Sequence, residues 1–84
     1  MLPPPENFEY NPVTDTLSWE SIPDAEEYQI EYAVGESENW LFQYQGPLTS
    51  CPFGHPSGTY RVRGRVYWES SWSKPGKPKR IVVP

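Results

Sequence analysis

The chain has 84 residues, a net charge of −4, eleven prolines and six glycines. That length holds one domain, and one so small buries only roughly 60–65% of the surface its unfolded chain exposes. The acidic balance argues against nucleic acid or an anionic membrane as partner, and four Trp, six Tyr and three Phe carry too much bulky apolar area for a disordered chain.

The opening MLPPP lacks an apolar run, so residues 1–5 read as a proline-rich lead or linker, neither signal peptide nor membrane anchor. A single domain is expected over residues 6–84. Phe8 and Tyr10 alternate with Glu9 and Asn11, an edge-like first strand, and Pro12 to Asp15 turns. Leu17 and Trp19 alternate with Thr16, Ser18 and Glu20, a second strand stopped by Ile22-Pro23-Asp24. Asp24 to Ile30 invites a helix, but Tyr28, Ile30 and Tyr32 alternate with Gln29, Glu31 and Ala33, the period of a strand with one apolar face. After the polar turn Gly35 to Asn39, alternation places Trp40, Phe42 and Tyr44 on one side of a fourth strand. Trp40 and Phe42 are expected against the open side of the core. Gly46-Pro47 interrupts this run, and Ser50 to Phe53, broken by Pro52, is a short edge or irregular strand. Gly54 to Gly58 turns into a long strand from Thr59 to about Trp68. Glu69 to Lys77 reads as loop, and Lys79 to Val83 closes the chain. Seven short strands with no covering helix point to two sheets packed face to face.

In this order and spacing the segments resemble a fibronectin type III domain over nearly the whole chain. The matching pieces are the proline lead before Asn7-Phe8-Glu9-Tyr10, then Thr16-Leu17-Ser18-Trp19 and the run from Ala25 to Tyr32. Gly58-Thr59-Tyr60-Arg61-Val62-Arg63 and Ser70-Ser71-Trp72-Ser73-Lys74-Pro75 complete the set. The resemblance implies an all-β, seven-stranded, two-sheet immunoglobulin-like β-sandwich of fibronectin type III topology. It assigns Trp19 to the core and makes Tyr60 the tyrosine of a corner, where a buried ring needs a backbone partner for its hydroxyl. Where the family usually places leucine, six residues before that tyrosine, this chain has Gly54. Phe53, one residue earlier, is expected to fill the leucine's volume, and Pro56 keeps the family's proline. Ser70 to Ser73 is also similar in part to the Trp-Ser-any-Trp-Ser box of class I cytokine receptors. Glu69 stands at the first position of that box, Trp68 lies one place early, and the receptors' paired cysteines are absent. Membership of the fibronectin type III family implies extracellular or cell-surface use, as one repeat of a secreted chain and here a fragment without its own signal peptide.

All seven basic residues lie at or beyond Arg61, a stretch that contains only Glu69 of the eleven acids. Strict alternation from Tyr60 sends Tyr60, Val62 and Val66 into the core with Tyr28 and Ile30. Arg61, Arg63 and Arg65 then share the outer face beside Gln29 and Glu31. Cross-strand pairs of this kind contribute about 0.2–1 kcal/mol each, and Trp72 is expected to lay its ring over a guanidinium. The competing reading makes Arg61, Arg63, Arg65 and Trp72 a reader of phosphate, sulfated glycan or acidic protein. Tyr44, Tyr67 and Trp68 are candidates for exposed rings that touch protein or sugar.

Chemistry finds little support. Cys51 is the only cysteine, which excludes an intrachain disulfide and reads as a buried thiol. His55 follows it across Pro52 without an orienting third residue or oxyanion donor, and two ligands do not make a zinc site. Asn7, Asn11 and Asn39 all fail the N-x-S/T sequon, and Gly54 to Gly58 is a turn rather than a phosphate loop. No cofactor or metal is expected. The sequence therefore reads as a non-catalytic spacer or protein–protein interaction module within a larger multidomain protein, its partners neighbouring domains or another protein. The alternatives are a carbohydrate-associated module using Trp40, Tyr67, Trp68 or Trp72 as a platform of exposed aromatics and an anion-binding surface along the arginine strand. Co-planar solvent-facing rings favour the sugar, a contiguous apolar patch the protein.

Overall fold

The computed structural model describes residues 2–84. Its strands are β1 Glu9–Asn11, β2 Thr16–Ser18, β3 Glu27–Val34, β4 Leu41–Gly46, β5 Ser50–Pro52, β6 Gly58–Trp68, β7 Ser71–Trp72 and β8 Lys79–Val83. No helix occurs among the described residues. One antiparallel sheet runs β1-β2-β5; the other runs β4-β3-β6, with β7 and β8 both paired to the far side of β6. This is the all-β two-sheet sandwich expected from the alternation, of the immunoglobulin-like type that the resemblance implies.

The core lies between the sheets. Leu17 and Cys51 face each other across β2 and β5 and pack on Tyr28, Ile30, Val62 and Val66 from the larger sheet. Trp19 sits among rings, with centroids 6.0 Å from Phe8 and 6.2 Å from Tyr28. The Tyr28 hydroxyl accepts the Ile22 amide at 2.9 Å, which fixes the loop leading into β3. At the opposite end Tyr60 donates its hydroxyl to the Pro56 carbonyl at 2.6 Å, so the buried ring keeps its polar tip satisfied. Phe53 is buried 5.2 Å from the Tyr60 ring, in the volume expected for it.

Three features depart from simple alternation or add to it. Tyr44 pairs with Ile30 while Phe42 pairs with Glu31, which leaves Gln43 as the extra residue of a β-bulge. The bulge overturns the single aromatic face expected for the fourth strand. Tyr44 turns inward to 5.6 Å from Trp19, whereas Phe42 turns outward and is 66% exposed. The stretch expected as loop after Trp68 contains a two-residue strand, β7, reached through Glu69 and Ser70, both at positive φ. That geometry is a tight hairpin turn built without its usual Asn or Gly. Between β7 and β8 the Ser73 and Gly76 amides still donate to Val66 and Gly64. Pro75 and Pro78 have no N–H to give, which splits this edge into two strands.

The proline lead is docked on the sandwich. Pro5 is fully buried and Leu2 packs against the core. Glycines make the room: a Cβ at Gly64 would lie 2.8 Å from Ile30 Cδ1 and 2.9 Å from Pro5 Cγ, and one at Gly76 would lie 3.2 Å from Pro4 Cβ.

Candidate functional site

Strand pairing builds the outer face of the larger sheet in rows. Phe42, Glu31 and Arg63 form one row; Gln45, Gln29 and Arg65 form the next; Glu27, Tyr67 and Trp72 form a third. Arg61 lies in the row beyond Arg63, opposite Ala33.

The three arginines have different environments. Arg61 folds toward the turn between β3 and β4, where its Nε donates to the Gly35 carbonyl at 2.9 Å and its terminal nitrogen to the Ser37 carbonyl. Glu38 lies 3.6 Å from the same group. Arg63 pairs with Glu31 across the strands at 2.9 Å, both side chains only a quarter exposed or less (25% and 20%). Arg65 has neither partner. Its Nε is buried without an acceptor, and no carboxylate pairs with it among the described residues. The nearby acid is engaged elsewhere: Gln29 donates to Gln45 at 3.2 Å, and Gln45 donates to Glu27 at 3.3 Å.

The ring over the guanidiniums is Trp40, with Arg63 at 4.1 Å and Arg61 at 5.1 Å from its centroid. The sequence assigned that role to Trp72, which instead packs on Tyr67 at 5.1 Å and 56°. The hairpin explains the exchange. The tight turn places Trp72 opposite Tyr67, two residues beyond Arg65 on β6, while the β3–β4 turn delivers Trp40 onto the Arg61–Arg63 end. Tyr44, expected as an exposed ring, is half-buried, with its hydroxyl accepting the Leu48 amide at 2.9 Å. Trp68 and Trp72 are half-buried and border an open groove of about 210 Å³ with Leu2 and Glu69. The outer face thus gathers Arg63, Arg65, Tyr67 and Trp72, and adds Phe42 and Trp40. Sequence reasoning favoured both of these for the core and offered only Trp40 as an exposed ring, for a sugar; the polar Gln43 between two aromatics was the one available hint of a bulge.

A second polar cluster closes the opposite side of the sandwich. Gln43 Nε2 donates to the Pro52 and Phe53 carbonyls at 3.0 and 3.2 Å and lies 3.9 Å from Cys51 Sγ. Its Oε1 therefore faces His55 Nε2, 2.6 Å away, and that imidazole nitrogen carries the proton. His55 stacks on Tyr32 at 4.0 Å, and burial lowers its pKa, opposed by the charge of Asp15. Burial also raises the Cys51 pKa, opposed by Gln43. A neutral imidazole and a protonated thiol held apart by an amide form a structural plug; a nucleophile would need direct contact between them. Beside it Tyr10 donates to Asp15 at 2.6 Å, and that hydrogen bond raises the phenol pKa to about 12.

No protein-family model matches the chain, and no curated protein matches it. Among solved structures it is similar to domains A168–A170 from titin, with a TM-score of 0.67 and 19% identity over 96% of this chain. It spans 31% of that titin chain. The likeness extends across the whole sandwich and establishes the fold: an all-β domain of two packed antiparallel sheets.

Proposed function

We propose that the chain is a fibronectin type III-like, non-catalytic module of a multidomain protein, and that it binds another protein through the outer face of the larger sheet. The observation that carries this reading is Phe42, a large ring 66% exposed that the β4 bulge turns outward beside an aromatic-rimmed arginine ladder. Exposed aromatics flanked by arginine are the composition of binding hot spots. A sheet face is also rigid, so a partner meets it without ordering a loop. The titin likeness supports a place in a multidomain chain, as does the position of the ends. Leu2 lies beside Trp68 and Val83 pairs with Gly58, at opposite ends of β6. Such an arrangement suits a domain strung between neighbours.

The carbohydrate reading has less support. Tyr67 and Trp72 are inclined at 56°, Trp40 is covered by two guanidiniums, and Tyr44 packs inward, so co-planar rings for a sugar face are missing from this surface. A general anion surface has less support as well, because Arg61 and Arg63 already hold internal acceptors.

The test is a photo-reactive phenylalanine analogue at Phe42 or at Val13, in the cell that makes the protein. Val13 is 91% exposed but lies on the turn between β1 and β2. The reading expects a discrete protein adduct from position 42 and none from position 13. Equal labelling at both, or none at 42, contradicts it.

A further inference from the structure

We infer that the partner of this face presents a carboxylate, an Asp or Glu side chain on an extended acidic segment, and that Arg65 receives it. The inference rests on the interaction reading above and names the chemistry of its partner. The outer face is otherwise neutralised from within: Glu31 holds Arg63, backbone carbonyls and Glu38 hold Arg61, and Glu36 holds Arg80. Arg65 alone in this ladder keeps a full positive charge without a counter-charge.

Its surroundings favour a planar acid. The amides of Gln29 and Gln45 bond to each other and then to Glu27, so that carboxylate has a partner of its own and forms no ion pair with Arg65. Burial of Nε fixes the stem against the sheet and leaves the terminal nitrogens for a ligand. Those nitrogens match two carboxylate oxygens in a paired hydrogen bond. Tyr67 and Trp72 wall the position on one side and the Trp40–Arg63 stack on the other, so an arriving acid would lose water and gain strength. Phe42 lies one row and two strands from Arg65, roughly 12 Å, so an apolar residue about three places along the same extended segment reaches it.

The experiment follows the Arg Nε–H signals of the labelled 84-residue chain by NMR. The probes are a capped peptide of alternating Glu and Val, the same peptide with Lys for Glu, and a heparin-derived hexasaccharide. The Glu peptide is expected to move the Arg65 signal saturably and to lose affinity between about 0.05 M and about 0.5 M NaCl. Followed at the Trp indole signals, Arg65→Gln weakens it at least about tenfold, Arg65→Lys recovers part, and Arg80→Gln leaves it unchanged. Movement of Arg80 in place of Arg65, stronger binding of the hexasaccharide than of the Glu peptide, or no binding of the Glu peptide overturns the inference. The two readings fail differently. An adduct at Phe42 that survives Arg65→Gln sinks only the acidic partner, whereas absence of any adduct sinks the interaction reading itself.

Discussion

Gly64→Ala separates two opposing effects at the centre of β6. In an open strand, alanine for glycine stabilises by roughly 0.5–1 kcal/mol, because the unfolded chain loses freedom. Here the new Cβ would come within 2.8 Å of Ile30 Cδ1, 2.9 Å of Pro5 Cγ and 3.3 Å of Phe8 Cζ. Overpacking of that kind costs about 1–3 kcal/mol, so the steric effect wins and the variant is less stable. For a domain of this size, each kcal/mol moves the midpoint by about 4–8 °C. Ile30→Val removes the Cδ1 atom and alone costs about 0.5–1.5 kcal/mol. In the double variant the deleted methyl makes room for the added one, and the summed cost falls short of the two single costs by about 1 kcal/mol. Urea unfolding of the four proteins measures this cycle. Additivity within about 0.5 kcal/mol, or a gain in stability from Gly64→Ala alone, refutes the packing argument and with it the inward direction of alternate β6 residues.

Three further outcomes follow from the described contacts. Tyr60→Phe keeps the ring and deletes only the 2.6 Å bond to the Pro56 carbonyl; urea unfolding should show a loss of about 1 kcal/mol, and no loss would mean the corner bond is idle. His55 has a folded pKa below its ordinary 6.5, so the unfolded chain binds the proton more tightly. Its contribution to stability is present above pH 6.5 and lost as the pH falls below it; the NMR midpoint of the ring should lie under 6.5, and His55→Gln should flatten that part of the stability profile. Cys51 is buried with a raised pKa, so a thiol-specific disulfide reagent near pH 8 should modify it slowly in the native chain and fully in denaturant, whereas rapid native labelling would place the thiol at the surface.

Much of this architecture could be read from the sequence because a period of two is a strong constraint when one face must be buried. Tyr28 and Ile30 on β3, and Tyr60, Val62 and Val66 on β6, announce their direction through polar neighbours at every other place. The same reading failed on β4, where Leu41, Phe42, Gln43, Tyr44 and Gln45 give no clean polar face and one extra residue reverses the aromatics. It also missed β7, since Glu69 and Ser70 adopt a turn conformation that their side chains do not advertise. The arginines were correctly set on the outer face, but their different states depend on loops. Whether Trp40 or Trp72 lands on a guanidinium is decided by the β3–β4 turn and the hairpin after β6, both distant from Arg63 in sequence. The docking of Pro5 against Gly64 was likewise hidden, because an empty Cβ position has a meaning only once its neighbours are known.

Hydroxyl-radical footprinting, read residue by residue on the module alone and bound to the protein captured at Phe42, tests the proposed binding face directly. Phe42, Trp40, Tyr67 and Trp72 should lose reactivity together while Val13 and Leu48 keep theirs. Protection confined to Val13, Leu48 or the β1–β2–β5 side, with the four outer rings unchanged, would contradict it.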